Sequence, residues 1–157
     1  MRLNPPAEPR LASREDQVAH ALEALERAWT RSDAVFALIA DPTLHMRPIA
    51  LRHPFLFYLG HLPAFASNHL LSGLLDRPPL HGEFEILFER GIDPLSADAA
   101  ANATRQAWPA IYEVLAYRDA VRAHVRDSAA DALACGATLP HRAYHLVLEH
   151  ELMHHET

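Results

Sequence analysis

The chain has 157 residues, half of them hydrophobic, and a formal charge of −6. That length supports one domain with a real core, and that composition excludes a disordered chain. An acidic balance without a basic stripe excludes a nucleic-acid binder, no apolar run reaches the roughly 18 residues of a membrane span, and a single cysteine, Cys135, excludes an intrachain disulfide.

No apolar stretch follows Arg2, so no signal peptide is read and a cytoplasmic protein is expected. Residues 1–12 hold three prolines and read as an extended lead-in; residues 13–157 read as one helical unit. Ser13 with Asp16 is a helix-start pattern, an N-cap followed by an acid three residues on. Val18, Ala21, Leu22, Leu25, Ala28 and Trp29 then recur at helical spacing, and Val35, Phe36 and Ile39 continue the stripe. One long helix to about Ala40 is predicted, stopped by Asp41-Pro42, with a loop over 41–53.

His53-Pro54 opens a second helix running to about Leu75, apolar nearly all round and so buried. Pro63 should kink or fray it near Leu59, and Asp76-Arg77-Pro78-Pro79 should end it. Phe84, Leu87 and Phe88 suggest a short helix before Gly91, and Ser96 a further short start. Trp108-Pro109 opens a third long helix with a stripe of Ile111, Val114, Leu115, Val121 and Val125, ending near Cys135-Gly136. Cys135 there reads as a helix-end thiol rather than a nucleophile. Pro140 opens the last helix. Strict alternation is absent throughout, so the expected architecture is all-α, a four-helix bundle with long crossover connections.

Histidine is the anomaly, with twelve copies. His150 and His154 are four apart, which on a helix puts two imidazoles on one face a turn apart. On a wheel of the last helix Ala143, Tyr144, Val147, Leu148 and Leu152 form the apolar arc, and His150 and His154 fall within it. His145 falls opposite with Glu149 and Glu156, and His141 sits at the edge of the arc. Two inward imidazoles need partners, either as hydrogen-bonded core histidines or as two ligands of a metal. Bundle-core metal sites draw ligands from facing helices. His53, His61 and His69 on the second helix are the candidates, and a helix apolar all round does not choose among them. His150-Glu151-Leu152-Met153-His154 also matches the H-E-x-x-H pattern of zinc hydrolases, with Glu151 as general base.

Arg52-His-Pro-Phe-Leu-Phe-Tyr-Leu-Gly-His61-Leu, then Phe84-Glu-Ile-Leu-Phe-Glu-Arg-Gly-Ile-Asp93, then Trp108-Pro109, then His150-x-x-x-His154-x-Glu156 occur in that order. Together they resemble the N-terminal DinB-like domain of the ergothioneine, ovothiol and selenoneine synthases, over roughly residues 15–157. The resemblance implies a non-haem iron(II) held by His61, His150 and His154, with zinc able to compete. It implies an O2-dependent reaction joining a thiol or selenol donor to the imidazole of a histidine derivative such as hercynine. Glu156 matches the acid that closes the motif and is expected to act behind the ligands. Met153 stands where some members carry a glutamine that holds substrate, and it cannot make that hydrogen bond. No catalytic residue is assigned in this chain. Family enzymes continue into a formylglycine-generating-enzyme-like domain that supplies a catalytic tyrosine, so the chain reads as a fragment, inactive alone. A stand-alone DinB-like metal-dependent thiol transferase is the alternative, with a zinc hydrolase or a non-catalytic bundle behind it.

Overall fold

In the computed structural model, residues 12–49, 52–89 and 107–156 are described, and every regular element among them is helical. Helix α1 spans Arg14–Phe36 and starts as its sequence dictates. The Ser13 hydroxyl accepts from the Asp16 N–H, and the Asp16 carboxylate accepts from the Ser13 N–H, both at 3.1 Å. Val18, Ala21, Leu25, Ala28, Trp29 and Ser32 form its buried stripe. The helix stops four residues short of the expected end. Where a loop was expected, the short helix α2, Asp41–Leu44, follows, with proline in its first turn.

Helix α3, Phe55–Ala66, is buried on nearly every side, as its sequence predicts, and it carries Pro63 inside it without ending near Leu59. The departure from α geometry comes later. Ser67–Ser72 forms a π-helical continuation, in which the Gly73 N–H reaches back five residues to the Asn68 carbonyl at 2.9 Å. Asp76 ends the run in the left-handed region, φ 52°, while the Arg77 N–H reaches the Leu71 carbonyl. Helix α4, Gly82–Glu89, is the short helix expected around Phe84 and Phe88. The helix start expected at Ser96 and the lead-in over residues 1–11 lie outside the described residues.

The third long helix of the sequence reading is two helices, α5 (Ile111–Asp127) and α6 (Ala129–Ala134). The break falls at Ser128. Its hydroxyl donates to the Val125 carbonyl and accepts from the Tyr144 hydroxyl, each at 2.6 Å, so a buried polar pair interrupts the stripe. Gly136, φ 77°, follows the end of α6. Helix α7, His141–Met153, closes the bundle. It packs most extensively on α1, while α3 packs on α5 and α4. The four long elements α1, α3, α5 and α7 thus surround one core that includes Leu25, Trp29, Leu56, Phe88, Val121 and Tyr144. Among the described residues no helix is long and apolar enough to cross a membrane.

Candidate metal centre

The site is built where α3 meets α7. Among the described residues, the ligand-capable atoms of His61, His150 and His154 gather, all within 4.8 Å of one another. His61 is buried, and His150 and His154 are half-buried. Ring centroids lie 4.8 Å apart for His61 and His150, 5.2 Å for His61 and His154, and 4.7 Å for His150 and His154.

Each ring has a physical reason to sit as it does. The His61 Nδ1 lies 2.7 Å from the Phe88 carbonyl at the end of α4. A carbonyl can only accept, so Nδ1 carries the proton, and Nε2 of the neutral ring is a bare lone pair. That lone pair faces His150 Nε2 at 3.1 Å. The contact with Phe88 depends on Gly60. A Cβ at Gly60 would lie 2.5–2.6 Å from the Cζ, Cε1 and Cε2 atoms of Phe88. The glycine beside His61 therefore lets the Phe88 backbone approach closely enough to set the imidazole tautomer. Phe57 stacks on His61 at 5.1 Å, and Phe65 lies flat on His150 at 3.6 Å with an interplanar angle of 4°.

Burial holds His61 below the ordinary imidazole range, opposed by the Phe88 carbonyl. His150 is held down to about 3, first by burial and then by the neighbouring His61 and His154 rings. Protons are thus disfavoured where lone pairs converge. Bonds of about 2.1 Å meeting at 90–109° require nitrogens about 3.0–3.4 Å apart, and the 3.1 Å separation of the two Nε2 atoms meets that requirement. A set of three imidazole nitrogens suits a divalent transition metal. Beside His154 lies a cleft of about 250 Å3, walled by Val35, Phe36, Ile39, Phe55 and Tyr58, with Arg52 and His53 also at its lining.

Of the three candidates on the second helix, only His61 joins the cluster. His53 lies just before α3 and stacks on Phe57 at 4.0 Å. His69 is exposed on the π-helical turn, against the outer face of Phe65. His145 is exposed, on the polar side where the wheel places it. Glu156 is exposed beyond the end of α7, and Leu152, which the wheel put inside the apolar arc, is also exposed. The buried carboxylate of this helix is instead Glu151, 2% exposed, which accepts a hydrogen bond from Ser32 on α1. Tyr144, Val147, Leu148 and Glu151 recur at i, i+3, i+4 and i+7, so the spacing carries this signal, and only the expectation that acids face water conceals it. Held against Ser32, Glu151 is not placed to act as a general base at the cluster.

Residues 24–157 match the DinB superfamily, and the chain belongs to that family. Over 141 residues it is 34% identical to ergothioneine biosynthesis protein 1 of Neurospora crassa. That alignment covers 87% of this chain and 16% of the fungal protein, so the chain corresponds to a small part of its relative's length.

Proposed function

We propose that this chain is the iron(II)-binding DinB-like domain of an O2-dependent enzyme of ergothioneine-type biosynthesis. Its reaction joins a sulfur or selenium donor to the imidazole of a histidine derivative such as hercynine. The observation that carries the reading is the convergence of three imidazoles, one with its tautomer set by a backbone carbonyl. The ordered motifs and the likeness to a protein named for ergothioneine biosynthesis support it.

His61, His150 and His154 would hold the ion. A ferrous ion there would supply the one-electron and O2 chemistry that side chains lack. The residues of this chain do the rest of what is assigned to it. Phe57 and Phe65 keep water from the faces of two ligand rings. The Phe88 carbonyl keeps the His61 proton on Nδ1, so that Nε2 stays a donor atom. The cleft beside His154 offers the aromatic walls of Phe36, Phe55 and Tyr58 to a substrate ring. A stand-alone thiol transferase would use the same three histidines, and the metal and substrate response separate the two.

The test is anaerobic titration with iron(II), followed by nitric oxide as a spectroscopic probe. One ion per chain is expected, and addition of hercynine should change the nitrosyl spectrum. His150→Ala should abolish binding. Stoichiometric loading retained in that variant would show that the ligands are misassigned. A nitrosyl spectrum blind to hercynine but changed by a thiol alone would favour the transferase.

A further inference from the structure

The ligand-bearing turn of α7 is gripped from behind by one serine. Ser32 on α1 is 1% exposed, and its hydroxyl lies against Glu151 in the last turn of α7 and His155 just past its end. It donates a hydrogen bond to Glu151 Oε1, and it lies 2.8 Å from His155 Nε2. Glu151 and His155 are the residues that immediately follow His150 and His154. Like the two ligands, they are four apart and share one helix face. A carboxylate only accepts, so Ser32 donates to Glu151 and receives the His155 N–H.

A second tier holds the first. Arg122 on α5, itself 8% exposed, lies 4.0 Å from Glu151 Oε1. Its Nη1 also donates to both oxygens of Asp33, the residue after Ser32, at 2.9 Å. Arg118 reaches the same aspartate at 3.1 Å. Three helices are tied together at the level of the ligand turn.

We propose that Ser32 is a positioning residue for the histidine cluster, setting through Glu151 and His155 the rotation of the turn that carries His150 and His154. Helix rotation is the sensitive coordinate. At a radius of about 6 Å, a turn of about 20° moves a ring nitrogen about 2 Å, a whole metal–nitrogen bond length. Apolar packing resists separation of two helices but resists rotation weakly, whereas hydrogen bonds to two residues of one helical turn resist it directly. A buried carboxylate is also a poor choice for stability alone, since a well-packed apolar group of similar volume would serve as well.

The inference rests on His150 and His154 being ligands, and the experiment separates the two claims. Cobalt(II) is titrated into the whole chain and into Ser32→Ala, Glu151→Gln and Glu151→Leu, with affinity and the visible ligand-field spectrum as readouts. Hydrogen exchange of the His154 and His155 amides is followed in the metal-free proteins. Ser32→Ala and Glu151→Leu should lose about 10–100-fold in affinity, change the spectrum and speed exchange in that turn. Glu151→Gln keeps an acceptor for Ser32 and should restore most of the affinity and the spectrum. If Ser32→Ala does not fold, the Gln and Leu variants carry the comparison. Wild-type affinity and spectrum in Ser32→Ala, or a Gln variant no better than Leu, would overturn the positioning role while leaving the ligands in place. A wild-type chain that takes up no cobalt would remove the ligand reading, and the positioning role with it.

Discussion

Gly60→Ala is the most informative single substitution, because two effects of opposite sign meet there. Gly60 lies inside α3, where exchange to alanine favours the helix by about 1 kcal/mol. Against this stands the ring of Phe88. The added carbon would lie 2.5–2.6 Å from three ring atoms, and ordinary contact begins about 1 Å further out. The ring has little room to retreat. It is fully buried, 5.6 Å from Phe84, 6.2 Å from Trp108 and 6.3 Å from Phe57. Overpacking costs about 1–3 kcal/mol, and an approach this close to a buried ring belongs at about 2–3 kcal/mol, so the clash should win and leave a net loss of about 1–2 kcal/mol. For a chain of this size that is a fall of roughly 2–8 °C in Tm. The same shift moves the Phe88 carbonyl away from His61 Nδ1, and metal affinity should drop about 10–100-fold. The clashing atoms are the outer atoms of the ring, which leucine lacks. Gly60→Ala combined with Phe88→Leu should therefore lose less stability than the two single changes add up to. Thermal unfolding and cobalt titration of the four proteins read both effects. A Gly60→Ala chain as stable as wild type, with unchanged metal affinity, would refute the reasoning.

Other expectations follow from particular contacts. His61→Ala should abolish metal binding while His69→Ala should keep it, since only the first lies in the cluster; isothermal titration distinguishes them. Ser128→Ala should cost about 1–3 kcal/mol, because it leaves the buried Tyr144 hydroxyl without its acceptor. Tyr144→Phe should cost only about 0.5–1.5 kcal/mol, since Ser128 still donates to Val125; urea midpoints give the order. The hydrogen bonds from Ser13 hold the Asp16 carboxyl below its usual range. Its contribution is present above the unfolded-state pKa and is lost as pH falls through the lowered folded-state value. Asp16→Asn should flatten that acid limb in a plot of unfolding midpoint against pH.

What the sequence revealed and what it concealed divide along physical lines. Local chemistry was legible: the Ser13–Asp16 start of α1, the Asp76 stop, the inward pair His150 and His154, and the helical class of the whole. The choice of His61 over His53 and His69 was open to the wheel because α3 is buried all round. In space the choice comes from a contact 27 residues away, where Gly60 admits Phe88. The resemblance to the synthases named His61 without giving this reason. Ser128 broke a continuous apolar stripe through a partner 16 residues on, and the π-helical turn left no mark in the residues that form it. Glu151 was read only as the general base of an H-E-x-x-H pattern; its buried role was not legible, because its partners Ser32 and Arg122 belong to other helices.

His61 and His150 are 89 residues apart. No single helix or hairpin carries the cluster; it exists only once α1, α3, α4 and α7 have docked. In an unfolded chain His150 and His154 remain near neighbours, but the third imidazole and the carbonyl that orients it are dispersed. An ion that binds the assembled cluster alone adds its binding free energy to the fold, about 2.7 kcal/mol at a concentration 100 times Kd. The metal-free fold instead bears a cost at the same place, where burial and the neighbouring rings disfavour a charged imidazole. Occupancy would thereby be tied to the integrity of the entire bundle, and loosening any of its long helices should be felt first as a weaker grip on an ion held there.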